Sequence, residues 1–330
     1  MIKRNRMVVA IIKRFFRSLE LDFSAKVRWR MKFDRNPLFV TLQDKHAIKE
    51  YARIKGVKTA QLLYVTDRPE TIPFAELPKN YFIKANHSCG WNILCYDSQL
   101  YLFLNGRDYV IHDDSFFNMN SLTHNKLSQS ETIQLCREWL NRTYSKKEWA
   151  YQLISPRIIV EELLISEDKK ELKDYRMYIF DGVVKAINVG SGLFRNNGEN
   201  VFFDHNWQEF KLTSYREKLP EPLPVKPARL KEMIEVAQCL GKEIDFARID
   251  LYCTVQGVIL GEITVYPEGG ILDSPTSCPV FNKWLGHQWK LKRMDTFNAL
   301  LWNIPYAFGA PIIRRHRRRN QGRKNGPDNV

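Results

Sequence analysis

The sequence predicts an α/β (α+β) fold of short strands, tight hairpins and a few helices, and three stretches carry that expectation. The first is FARIDLYCTVQGVILGE at 246–262, two apolar-rich strands around a turn at Val255, Gln256 and Gly257. Alternation along a strand sends residues i and i+2 to one face, so Arg248 and Asp250 point the same way. The returning strand then brings Glu262 back towards Asp250. The second is YFIKA at 81–85, an apolar strand with one lysine, Lys84, followed by the small polar loop of Asn86, His87, Ser88, Cys89, Gly90, Trp91 and Asn92. The third is RIIVEELL at 157–164, a buried strand ending in acids. It is followed by DYRMYIF at 174–180 and a turn at Asp181 and Gly182 into a strand over 183–189.

From the N-terminus, residues 1–32 form a basic amphipathic segment. Apolar residues at 8, 11, 12, 15, 16 and 19 follow helical spacing. That suits a helix on an anionic membrane surface and equally a helix packed on the body. Its longest uncharged run is six residues, too short for a membrane span, and Lys13 and Arg14 interrupt any signal-peptide core. Residues 33–75 are expected to be a helical lead-in. Residues 76–150 form one subdomain, with strands over 81–85, 93–96 and 101–104 and a helix over about 131–143. Residues 151–290 form a second, holding the strand at 157–164, the hairpin at Asp181 and Gly182, a helix near 228–240 and the hairpin at 246–262. A proline-rich stretch at 221–227 stops the chain before that helix. Residues 291–330 are an extension whose tail, RRHRRR from 314 onwards, is polar enough to be disordered.

The residue types suggest chemistry. Two carboxylates at one end of a hairpin suit Mg²⁺, a hard cation that takes oxygen ligands and shares them with phosphate. An arginine on the same face suits a phosphate or a developing oxyanion. A strand lysine before a small polar loop also suits phosphate. As residues alone, the hairpin is equally a solvated one with a surface ion pair, and Lys84 could snorkel from an edge strand.

The order of these pieces resembles the ATP-grasp superfamily and, more closely, the TupA-like ATP-grasp family, named for a protein of teichuronopeptide biosynthesis. The resemblance covers roughly 33–290. It includes RNPLF at 35–39, DKHAIKEY at 44–51, ELP at 76–78 and FDHNW at 203–207, besides the lysine strand, IIVEELL, DYRMYIFDGVV and RIDLY with GVILGEIT. It implies two α+β subdomains clamping ATP. Lys45 and Lys84 would grip its phosphates, and the loop carrying Asn86, His87, Ser88 and Gly90 would be a lid. Glu161, Glu162, Leu163 and Leu164 would form the hinge against adenine, and Asp174 would bind ribose. Asp250 and Glu262 would hold Mg²⁺, with Arg248 facing the transferring group. Thr264 stands where many relatives carry asparagine, which bears on a second Mg²⁺. Arg195 is a candidate for holding a substrate carboxylate. Without the resemblance, Lys45 is equally a solvated helix residue.

Charge and cysteines bound the partners. Residues 1–32 carry ten Lys or Arg against two acids, and residues 314–330 carry seven against one; together they account for the whole net charge of +14. The body is formally neutral, so the ends suit an anionic membrane surface or an acidic polymer, and no RNA- or DNA-binding signature favours nucleic acid. Six cysteines without a CxxC pair are expected to be reduced, in a cytoplasmic protein that can sit peripherally on the inner face of the plasma membrane. The expected function is an ATP- and Mg²⁺-dependent carboxylate–amine ligase. By the resemblance it would act on a surface polysaccharide, with a uronic-acid glycan and an amino acid as partners. The alternatives are a kinase of a sugar or lipid hydroxyl on the same fold, and a non-catalytic membrane-associated scaffold for glycan assembly.

Overall fold

The computed structural model describes residues 22–103, 126–169, 172–190, 201–212, 222–271 and 278–291. The chain divides into a unit of Met1–Leu21 with Leu291–Val330 and a unit of Asp22–Lys290. Of the first unit only Leu291 is described, so the expected amphipathic helix before residue 22 and the basic tail lie outside the described residues, as does Arg195. The architecture below is that of the second unit.

Three helices lead in: α1 (Phe23–Phe33), α2 (Leu38–Gln43) and α3 (Ala47–Ile54). They are followed by β1 (Leu62–Thr66), β2 (Tyr81–Ala85), β3 (Asn92–Tyr96), β4 (Gln99–Phe103), β5 (Lys126–Leu127), α4 (Gln129–Leu140) and β6 (Ile158–Glu162). The second half holds β7 (Asp174–Phe180), β8 (Val183–Gly190), β9 (Val201–Phe203), α5 (Leu230–Gly241), β10 (Phe246–Thr254), β11 (Gly257–Thr264) and α6 (Pro279–Gln288). The strands form two sheets, ordered β1-β6-β2-β3-β4-β5 and β11-β10-β7-β8-β9. Every pairing within them is antiparallel, so the fold is α+β rather than a wound parallel sheet.

Two expectations change here. The lead-in is not purely helical, because β1 lies inside it. The strand ending in Glu161 and Glu162, grouped by sequence with the second half, pairs with β1 and β2 and so sits inside the first sheet. Its four-residue run of buried side chains is that of a strand covered on both faces of its sheet.

Each sheet is covered by a helix with an apolar face. Cys136 and Trp139 of α4 pack with Ile83, Ile93, Ile158 and Val160 of the first sheet, and Ser128 and Glu131 form a reciprocal capping box at its start. Met233, Ala237 and Leu240 of α5 are buried where that helix crosses β7, β8 and β10. Helix α1 is pinned to the second sheet by Phe23, whose ring meets Tyr178, Phe180 and Phe246. The fully buried Arg30 pairs with Asp245 and donates to the carbonyl of Phe246 at 2.8 Å. A buried guanidinium needs those partners, since desolvation outweighs a single weak contact.

The connector leaving the first sheet pairs with the hairpin of the second. The Val255 amide donates to the Ile165 carbonyl at 3.1 Å and the Glu167 amide to Cys253 at 3.2 Å. The chain leaving β6 through Leu163 and Leu164 therefore runs directly onto the turn of the β10–β11 hairpin.

Candidate functional site

On the first sheet, Lys84 is the fourth residue of β2 and precedes the loop 86–92. Its ammonium lies 2.7 Å from Glu161 Oε2 on the neighbouring β6. Glu161 Oε1 is 2.6 Å from Lys49 of α3, a residue the sequence reading passed over. Burial alone would push the Glu161 carboxyl up, but Lys84 and Lys49 outweigh it and bring it down to about 2. Lys45, in the turn before α3, donates from its ammonium to the Ser88 carbonyl and from its amide to the Asn86 carbonyl at 3.1 Å. The loop thus lies between Lys84, which precedes it, and Lys45, which reaches into it.

The side chains of that loop are used internally. Asn86 is fully buried; its amide nitrogen donates to Asp44 at 2.9 Å and to the Ser155 carbonyl at 3.1 Å, while its oxygen accepts from the Arg157 amide at 2.7 Å. It ties three chain segments together. The His87 ring is buried with Nε2 3.0 Å from the Trp139 carbonyl, and burial pushes its pKa down. Ser88 Oγ donates to the Ala85 carbonyl at 3.3 Å. What these residues offer a ligand is backbone around Gly90, whose φ of +78° marks the turn as one that glycine adopts freely. Cys89 at the tip is in electrostatic reach of Glu262, Lys45 and Arg248, so the loop faces the other sheet's hairpin. All six cysteines are free thiols.

On the second sheet, Asp250 of β10 stands opposite Glu262 of β11, and Arg248 opposite Thr264. A bulge after Asp250 skips Gly261. A side chain there would collide with the Tyr252 ring, so glycine is what lets the carboxylate pair and the tyrosine share one face. Gly257, at φ +106°, closes the hairpin turn. The Arg248 guanidinium holds Asp250 with two hydrogen bonds of 2.8 and 2.6 Å and touches Thr264 Oγ1 at 3.3 Å. Thr264 in turn donates to Glu262 at 3.3 Å. Burial pushes the Asp250 carboxyl up to about 6, against the pull of Arg248.

Asp174 begins β7 beside this face. It is buried against Arg176, with Nε at 2.8 Å and Nη2 at 2.7 Å from Oδ2, and its Oδ1 has no hydrogen-bond partner among the described residues. Arg176 stands opposite Asp250 and reaches Asn188 on β8 at 3.0 Å. Arg176 and Asn188 were missed by the sequence reading, although the DYR alternation places Arg176 on the face of Asp174. Glu148, at the foot of a short 3₁₀ helix, is a third missed residue and an acid: burial raises its carboxyl to about 7, with Glu262 nearby adding to the effect. At the hinge, the Glu162 carboxylate accepts from the Gln61 amide at 2.8 Å and from Gln256 at 3.0 Å, while Leu163 and Leu164 are half-buried.

The donor set fits Mg²⁺ in kind. Asp250 and Glu262 are hard oxygen donors facing each other across adjacent strands. Among the described residues no group of three or more His, Cys, Asp or Glu side chains converges as a metal cage. A cation here would take its remaining ligands from water or phosphate.

Two antiparallel sheets meeting at a hinge, with a lysine-flanked loop on one and a carboxylate hairpin on the other, make the ATP-grasp fold. The chain belongs to the TupA-like ATPgrasp family, which matches residues 25–290. Among solved structures it is similar to a D-alanine–D-alanine ligase from Bacillus anthracis complexed with ATP, at 16% identity and TM-score 0.39, covering 76% of this chain and 63% of that one. The D-alanine–D-alanine ligase of Helicobacter pylori is similar at 13% identity and TM-score 0.42, with 76% and 61% covered. An N5-carboxyaminoimidazole synthetase from Staphylococcus aureus complexed with ADP is similar at 10% identity and TM-score 0.38, with 69% and 45% covered. The chain thus spans less than two thirds of the length of these proteins. No match was found among curated proteins. Among the described residues no helix is long and apolar enough to cross a membrane.

Proposed function

We propose that the protein is an ATP- and Mg²⁺-dependent carboxylate–amine ligase that modifies a cell-surface polysaccharide. The observation that carries the proposal is the register of the β10–β11 hairpin, which opposes Asp250 to Glu262 and Arg248 to Thr264 across from the loop held by Lys45. ATP carries several negative charges, and Lys45 and Lys84 are the side chains suited to its phosphates. Asp250 and Glu262 would hold Mg²⁺, which when bound supplies further positive charge to the phosphate oxygens. The backbone of Glu162, Leu163 and Leu164 would meet the adenine edge and Asp174 the ribose.

A substrate carboxylate oxygen attacks the γ-phosphorus of ATP, the bond to the β-phosphate oxygen breaks, and ADP leaves. The amine nitrogen of the second substrate then attacks the acyl carbon, phosphate leaves with the electron pair of the broken C–O bond, and the nitrogen gives up a proton to solvent to leave a neutral amide. Arg248 orients the acyl-phosphate through its guanidinium, and Arg195 is the candidate for holding the carboxylate. A uronic-acid glycan and an amino acid are the proposed substrates, and the basic termini would keep the enzyme at an anionic membrane surface.

The test is capture of the intermediate. The protein is incubated with ATP, Mg²⁺, hydroxylamine and uronic-acid oligosaccharides, and hydroxamate and ADP are measured together. Equal amounts of both are expected. ADP with a stable phosphate ester and no hydroxamate would make the protein a kinase, and no ADP with any acceptor would point to the scaffold.

A further inference from the structure

Glu161 is 6% exposed, and both of its carboxylate oxygens are taken by ammonium groups, Lys49 at 2.6 Å and Lys84 at 2.7 Å. The two lysines are not equivalent. Lys49 is held at a second point, donating to the Ala60 carbonyl at 2.6 Å, and its side chain is 14% exposed against 25% for Lys84. One carboxylate therefore serves an anchored cation and a more open one that precedes the phosphate-facing loop.

We propose that Lys49 is a positioning residue for ATP binding, keeping Glu161 paired when Lys84 turns to the nucleotide phosphates. The proposal rests on Lys84 being a phosphate ligand, as argued above. If Lys84 were the only partner of Glu161, a phosphate that took the lysine would leave a buried carboxylate without a counter-charge, which is strongly unfavourable. Protonation is the cheaper escape. An enzyme without the Lys49 ammonium would then take up a proton as ATP binds, whereas the wild type would not. The charged groups facing Glu161 are Lys84 from β2 and Lys49 from α3. Its register partners on β1 and β2 are Leu62 and Phe82, neither of which titrates.

The test is the Kd for ATP with Mg²⁺ between about pH 6 and 8.5 in the full chain, comparing wild type with Lys49→Met, Lys49→Arg and the double variant Lys49→Met/Glu161→Gln. Lys49→Met should bind about tenfold or more weakly near pH 8. Its affinity should recover relative to the wild type by up to about tenfold per pH unit of acidification. Lys49→Arg should follow the wild type. The double variant, having no buried charge to strand, should regain most of the lost affinity and lose the extra pH slope. Lys49→Gln, which keeps a hydrogen-bond donor towards Glu161, gives the same slope comparison if Lys49→Met does not fold. A wild-type slope in Lys49→Met or its substitute Lys49→Gln, or a double variant no better than the single one, overturns the proposal and leaves Lys49 as packing for α3. Absence of ATP binding by the wild type would instead remove the ATP site itself, and this inference with it.

Discussion

The two sheets hold their charges in opposite ways. On the first, one acid faces two lysines, so the Lys49–Glu161–Lys84 trio is net positive on its own. On the second, Asp250 is closed against Arg248 by two hydrogen bonds. Glu262 has only the Thr264 hydroxyl as a hydrogen-bond partner among the described residues. The first arrangement has a surplus cation to give to an anion, and the second has a carboxylate left for a cation. A polyanion carrying its own metal satisfies both, which neither sheet alone would suggest. The acids also titrate in opposite directions: two lysines overcome burial at Glu161, whereas at Asp250 burial, helped by Asp174, prevails over Arg248 and Arg176.

The largest expected effect breaks the second arrangement. Arg248→Met leaves Asp250 buried without its partner and should cost about 3–5 kcal/mol of stability near neutral pH. Because loss of Arg248 raises the Asp250 carboxyl further and protonation relieves its charge, the deficit should shrink as pH falls towards about 6 and level off below it, as urea unfolding at alkaline pH and near 6 would show. The first arrangement responds with the other sign. The Glu161 carboxyl titrates lower in the folded chain, so its contribution is present above the unfolded value near 4.5 and fades as pH falls towards about 2. The wild type should lose about 3 kcal/mol across that window, a loss that Glu161→Gln would not show in acid-denaturation curves. Smaller effects sharpen the geometry. Gly261→Ala should cost about 1–3 kcal/mol through its collision with Tyr252, measured by thermal unfolding. Thr264→Val, which removes the hydroxyl between Arg248 and Glu262, should cost about 0.5–1.5 kcal/mol and is read in the same assay.

What was legible in the sequence is what strand alternation controls locally. The hairpin at 246–262 has the opposed carboxylates that its pattern implies, and YFIKA forms β2 over the same residues. The turn at Asp181 and Gly182 joins β7 to β8 as expected. What was not legible depends on distant pairing. LLYVT of β1 lies in a stretch of helical neighbours, and only its contact with β6 makes it a strand. The place of β6 inside the first sheet is likewise set by partners far along the chain. Lys49 drew no reading from the sequence because its acid, Glu161, arrives from another strand. Asn86 and His87 looked like ligand contacts because small polar residues beside a glycine suggest an open loop. Their burial against Asp44, Arg157 and Trp139 is a tertiary fact that composition does not carry.

The central claim is that the two charge arrangements form one nucleotide site, and the most direct measurement is ATP binding with and without Mg²⁺ for the wild type, Lys84→Ala and Glu262→Ala. The account predicts Mg²⁺-dependent binding by the wild type. It predicts weakening by about tenfold or more in Lys84→Ala at any Mg²⁺ concentration, and loss of the Mg²⁺ dependence in Glu262→Ala. Wild-type protein that binds no ATP, or two folded variants that bind as the wild type does, would contradict it.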